Sequence, residues 1–235
     1  MPINTKHASY EEDTAKSMMV RDFFDGQTKV KSKGEKYLPR LSNQTNEEYD
    51  AYKMRGSLVP AVAPTVSAIK GAIMRRPVTV VSSLNGVLDD IDGDGQSIGL
   101  FTDSYIQEQL LAGGVGYLVE WEDEKAVVKM YKKESIINWS DDYIILTQSY
   151  TVRNPKDKYE EVVKTEYLEL SIDEENNYVQ HIWRETNGKF QQGPAIYPDN
   201  RGELLTKIPF IYSTVEGLGF KQVDPLLLDL ANVNQ

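Results

Sequence analysis

The run GQSIGLFTDSYIQEQLLAGGVGYLVEW, residues 95–121, passes from one kind of secondary structure to another within a few glycines. Its apolar residues Leu100, Phe101, Tyr105, Ile106, Leu110 and Leu111 recur at intervals of up to five, which gives a helix one apolar stripe that another layer must cover. Gly113 and Gly114 end that helix, because a residue without Cβ takes the left-handed conformation of a C-terminal cap at little cost. Val115 to Trp121 then reads as a strand. The unit is helix, glycine turn and buried strand, one half of a mixed core.

Toward the N-terminus the chain reads as helices. Ser9 and Glu12 have the spacing of a capping box, and Met18, Met19, Phe23 and Phe24 supply an apolar side before Gly26, so a helix is expected over about 10–24. Residues 27–36, QTKVKSKGEK, read as a basic loop; Lys31, Lys33 and Lys36 are either phosphate or subunit contacts or part of a solvated connection. Thr45 and Glu48 form a second capping box, opening a helix with Tyr49, Tyr52 and Met54. Pro60 and Pro64 should kink or divide the next stretch, since each removes an amide donor. Helix resumes as TVSAIKGAIMRR and stops at Pro77. Arg75 and Arg76 at its end either complement the helix dipole or contact nucleic acid or another subunit. The β-branched run Pro77 to Val81 is expected to be a short strand.

Asp90, Asp92, Asp94 and Gly95 match the opening of a calcium loop, but Phe101 stands where the bidentate glutamate belongs. The alternative is an Asp/Gly turn, with Ser97 capping the helix that starts near Ile98.

Beyond Trp121 the pattern is antiparallel. A polar turn at 122–125 leads into AVVKMYKK, a short apolar link covers 134–139, and strands begin at Tyr143, Val163 and Tyr178 with turns NPKDK and DEENN between them. Asn187-Gly188 is a two-residue hairpin signal leading into KFQQ. These runs read as one half-exposed meander, with His181 a structural strand residue. Asp123 and Lys125 echo a nuclease element without placed partner carboxylates. Gly113, Gly114 and Gly116 follow a helix and lack the lysine of a phosphate loop. Near the end an apolar strand and a glycine loop precede a leucine-rich run expected to start a helix at Pro225 and then to continue or dock.

Composition narrows the chemistry. The 235 residues contain no Cys, which excludes disulfides and thiolate nucleophiles, and only His7 and His181. No apolar run approaches the roughly 18 residues of a membrane span, and no signal-peptide segment opens the chain, so a soluble intracellular protein without membrane contact is expected. Residues 1–80 carry 13 Lys and Arg against 9 Asp and Glu, leaving 13 against 27 for the rest of the totals of 26 and 36. The net charge of −10 opposes tight DNA binding, because phosphate neutralisation supplies most of that affinity.

As an ordered set, five segments resemble tailed-bacteriophage portal proteins, in particular a portal-like phage family first catalogued as a domain of unknown function. They are YLPRLSNQTNEEYDAYKMR, TVSAIKGAIMRRP, VLDDIDGDGQSIGLFTDSYIQEQLLAGGVGYLVEW, YKKESIINW and IPFIYSTVEGLGFKQVDPLLLDLANVN, spread over most of residues 37–235. The resemblance implies an α+β fold with N-terminal helices, a helix–strand core and an antiparallel β meander, similar to a portal wing. It divides the chain into a helical arm at 1–63, a wing-like domain at 64–224 and the start of a long helix at 225–235. It implies a non-enzymatic structural virion protein without cofactor, one subunit of a homo-oligomeric ring, usually a dodecamer, at a capsid vertex after assembly in the host cytoplasm. Terminase, the head–tail connector and capsid proteins would dock on that ring, and double-stranded DNA would pass through it without sequence specificity. The alternatives are another phage assembly or interaction module, or a calcium-binding module at Asp90, Asp92 and Asp94.

Overall fold

The computed structural model describes residues 2–81, 85–122, 125–154, 157–200 and 202–233. The fold is α+β: among the described residues six helices precede the first strand, and antiparallel strands come after it. The helices are α1 (Tyr10–Phe24), α2 (Gln27–Ser32), α3 (Asn46–Arg55), α4 (Val62–Ile73), α5 (Asn85–Leu88) and α6 (Ile98–Ala112). Then come β1 (Gly114–Glu122), β2 (Lys125–Lys132), β3 (Ile136–Trp139), β4 (Tyr143–Asn154), β5 (Asp157–Ile172), β6 (Tyr178–Thr186) and β7 (Lys189–Gln192). The chain closes with β8 (Asp199–Asn200), β9 (Glu203–Leu204), β10 (Phe210–Thr214), β11 (Gly217–Leu218) and α7 (Leu228–Asn232). Among the described residues no helix is long and apolar enough to cross a membrane.

The helix–glycine–strand unit forms as its residues dictate. Gly113 has φ +74° and its amide bonds to the Gln109 carbonyl, a left-handed cap on α6. A Cβ at Gly113 would lie 2.8 Å from the backbone oxygens of Val223 and Asp224, so the returning C-terminal segment also requires glycine there. From Gly114 the chain becomes the interior strand of a four-stranded sheet ordered β11-β10-β1-β2. Val115 pairs with Ser213 on one side and Lys132 on the other.

The second sheet runs β3-β4-β5-β6-β7, every neighbour antiparallel, with Asn187 (φ 53°) and Gly188 (φ 74°) at the final hairpin. The expected single meander is thus two sheets. The β1–β2 hairpin leaves it because its outer edge is completed by β10, about eighty residues later in sequence. Between the sheets lies an apolar core built on Leu118, Tyr131, Leu146, Leu168, Leu170 and Tyr178. A separate helical core joins Val20 and Phe23 of α1, Val62 and Val66 of α4, Ile106, Leu110 and Leu111 of α6, and Leu227 and Ala231 at α7. The boundary expected between 63 and 64 falls inside α4, and the arm helices share this core with α6.

Several local expectations change. Ser9 starts α1 but makes no cap bond, because its hydroxyl lies 3.0 Å from His7 Nδ1 instead. The Thr45–Glu48 capping box is complete, with Glu48 N–H donating to Thr45 Oγ1 at 3.2 Å and Thr45 N–H to Glu48 Oε2 at 2.8 Å. The basic segment 27–36 is ordered as α2 and a 3-10 turn at Gly34–Lys36, fixed by Val30 and the adjoining Tyr37 in the helical core. Pro64 sits in the first turn of α4, where a missing amide donor costs nothing. Residues 77–81 form no strand: Val81 is 98% exposed, and among the described residues no neighbour offers a ladder. Ser97 precedes α6 in an extended conformation without a side-chain cap bond. At the C-terminal end Pro225 precedes a turn, and the helix is α7, docked against α1. Asp123 and part of the NPKDK turn lie outside the described residues.

Candidate functional site

A cleft of about 860 Å³ lies between the two sheets, closed at one side by α6 and the 90–96 turn. Its walls come from stretches remote in sequence: Asp92 and Asp94, Glu108 of α6, Glu120 and Glu122 of β1, Gln148 of β4 and Gln180 of β6. The strand alternation that puts Leu118 in the core carries Glu120, two residues on, along the same face. Burial, reinforced by Glu122, raises the Glu120 carboxyl above its ordinary value, while Gln180 Nε2 lies 3.5 Å from Glu120 Oε1. Lys129 is the lysine of this lining that pairs with these acids. It donates to Asp92 O at 2.8 Å and lies 3.2 Å from Glu122 Oε2 and 3.4 Å from Asp94 Oδ2. Burial alone would lower the Lys129 ammonium, but the Glu122 carboxylate outweighs it and the net shift is upward.

Asp90, Asp92 and Asp94 are brought together as the turn that supports this wall. Asp92 Oδ1 accepts from the Asp94 and Gln96 amides at 3.0 Å each, and Asp90 Oδ1 accepts from Gly95 N–H at 2.7 Å. Lys125 pairs with the other Asp90 oxygen, which with the Gly95 amide holds that carboxyl below its ordinary value. Backbone amides and two lysines therefore occupy at least one carboxylate oxygen of each of the three aspartates. Among the described residues no group of three or more His, Asp and Glu is arranged to hold a metal ion.

The basic residues fall into two kinds. Lys33 and Lys36 lie 3.8 and 3.6 Å from the buried Asp22 carboxylate, which also accepts from Tyr37 Oη at 2.6 Å. Lys31 donates to the Met54 carbonyl at 3.1 Å. These three lysines pin α2 and the 3-10 turn to α1 and α3. Arg75 and Arg76, one and two residues past the α4 cap region, are exposed and make no ion pair among the described residues. They are the free basic pair of the helical layer.

Sequence reasoning missed the buried ionic link behind the cleft. Arg21 of α1 bonds Glu108 through both terminal nitrogens and Glu134 through Nε at 2.8 Å. Burial would lower the guanidinium, but the two carboxylates outweigh it and raise it overall. No local pattern around Arg21 pointed to it, since the buried side of α1 already carries the polar residues Asp13, Thr14, Ser17 and Asp22. His181 is a strand residue, its Nδ1 3.9 Å from Glu169 Oε2. No protein-family model matches the chain, and a search of curated proteins finds no significant match.

Proposed function

We propose that this chain is a structural subunit of a phage portal ring, serving at a capsid vertex as docking point for terminase, capsid and head–tail connector proteins and as conduit for double-stranded DNA. The observation that carries the reading is the ordered run of portal-like segments across most of residues 37–235. A rotational ring needs two unlike complementary surfaces on each subunit. The acidic cleft wall at Glu120 and Glu122 of β1 and the exposed Arg75–Arg76 pair provide unlike charges on the sheet and helical layers. The overall negative charge would limit sticking of the DNA backbone during passage.

Negative-stain imaging with light scattering tests the reading: closed rings should appear, and Arg75→Glu/Arg76→Glu should weaken them at low salt while circular dichroism stays unchanged. A strict monomer at every concentration, or submicromolar binding of duplex DNA at physiological salt, would sink it.

A further inference from the structure

A second, smaller cavity lies away from the acidic cleft, where the N-terminal segment, the 3-10 turn Lys133–Ser135 and the loop after β11 meet. It measures about 120 Å³. Its apolar wall is a column of rings: His7 on Trp139 at 4.0 Å, Trp139 on Phe220 at 5.1 Å and Phe220 on Tyr212 at 5.0 Å, all within 18° of parallel. Two buried, opposite charges also line it, Asp13, 7% exposed, and Lys133, 8% exposed.

Asp13 attracts the Lys133 ammonium through space and partly offsets its burial, yet among the described residues the two form no direct ion pair and no donor reaches the Asp13 carboxylate. Lys133 Nζ gives two of its three N–H bonds to the carbonyls of Ala112 at 3.3 Å and Val223 at 3.1 Å, leaving one. Burial lowers the Lys133 ammonium, so an anion beside that free N–H would be favourable. Waters would find partners at Ser9, Asp13, Thr14 and Lys133, but the wall of stacked rings suits an apolar group better. An amphiphilic molecule with a donor at one end and an acceptor at the other fits better. Lys221 and Gln222 are exposed and complete the lining, so the cavity reaches solvent there.

We propose that this cavity binds a small zwitterion, an α-amino acid with an aliphatic side chain. The ammonium faces Asp13, the carboxylate faces Lys133, and the side chain lies against Trp139 and Phe220. The site does not depend on ring assembly.

The test titrates the whole chain with L-valine by calorimetry, with isobutylamine and isobutyrate as single-charge arms. Valine should bind saturably and raise the melting temperature, each single-charge analogue should bind at least about tenfold more weakly, and Asp13→Asn should lose about tenfold or more in affinity. In amide and indole NMR spectra, shifts should centre on the Trp139 indole and the Lys133 amide, which locates the site even if Asp13→Asn folds poorly. No saturable heat and no thermal shift at ~10 mM valine, equal binding of either analogue, or shifts confined elsewhere would overturn the proposal.

Discussion

The β4–β5 hairpin changes character halfway along its length. In its inner half Leu146, Leu168 and Leu170 are between 0 and 3% exposed, covered by the sheet that carries Leu118 and Tyr131. In the outer half the pairing continues in register, Thr151 with Val163 and Val152 with Val162, yet Val162 is 39%, Val163 68% and Tyr159 83% exposed. Beyond Glu166 the outer edge of β5 has no β6 partner, and β3 pairs with β4 only as far as Leu146. Both halves have strand-forming composition and share one ladder from Tyr143–Ser171 to Arg153–Glu161, beyond which the register shifts. What separates them is a second layer: hydrogen bonding extends the ribbon, but burial of apolar area supplies the stability.

Five substitutions probe that contrast, and the largest effect belongs to the covered half. Leu146→Ala should cost about 3 kcal/mol, the usual transfer-plus-cavity loss for a fully buried leucine, read as a lower denaturant midpoint at constant slope. A loss below about 1 kcal/mol would mean that the sheets do not pack tightly over it.

Arg21→Met asks whether the polar part of the covered region is equally committed. Removing the guanidinium leaves Glu108 buried beside Glu134 without its cation, and a loss of about 3 kcal/mol is expected. Glu108→Gln in the same background should restore part of it, which separates charge from packing.

Glu120 lies in the open cleft and tests how far it is shielded. Its carboxyl is raised by burial from an ordinary value of 4.5, so between that pH and the folded value the folded state binds more protons than the unfolded one. Stability therefore falls as pH rises through that window, and Glu120→Gln should flatten the decline in thermal melts run from acid to neutral pH. An unchanged slope would show that water screens the site fully.

In the uncovered half, Val163→Thr should change stability by less than about 0.5 kcal/mol, since Val163 is 68% exposed. If the same substitution lowers stability only at concentrations where the protein associates, the outer ribbon is covered by another copy.

Most of the local structure was legible from residue types. The Thr45–Glu48 box, the αL position at Gly113 and the Asn187-Gly188 hairpin each arise from backbone chemistry within a few residues, and each appears where it was expected. The strand at 77–81 was not to be had from its β-branched residues, because strand formation depends on a neighbour that local composition cannot supply. Ser9 illustrates the same limit at a helix end, its hydroxyl turned toward the His7 ring that Trp139 stacks on.

Neither cavity could have been read off the chain. The cleft collects side chains from residue 92 to residue 182, and the smaller cavity joins Asp13 to Lys133 and Phe220. The sequence by itself determined α1, α3, α4 and α6, the glycine turns, the alternating strand pattern and the uneven charge, since these are set by residue type within a few positions, whereas the 27–36 segment read as a loop became α2. Tertiary structure alone decided that the strands divide into two sheets, that the leucine-rich tail returns to α1, and which lysines are tied up internally. Those outcomes depend on which distant surfaces exclude water together, a quantity that no window of neighbouring residues contains.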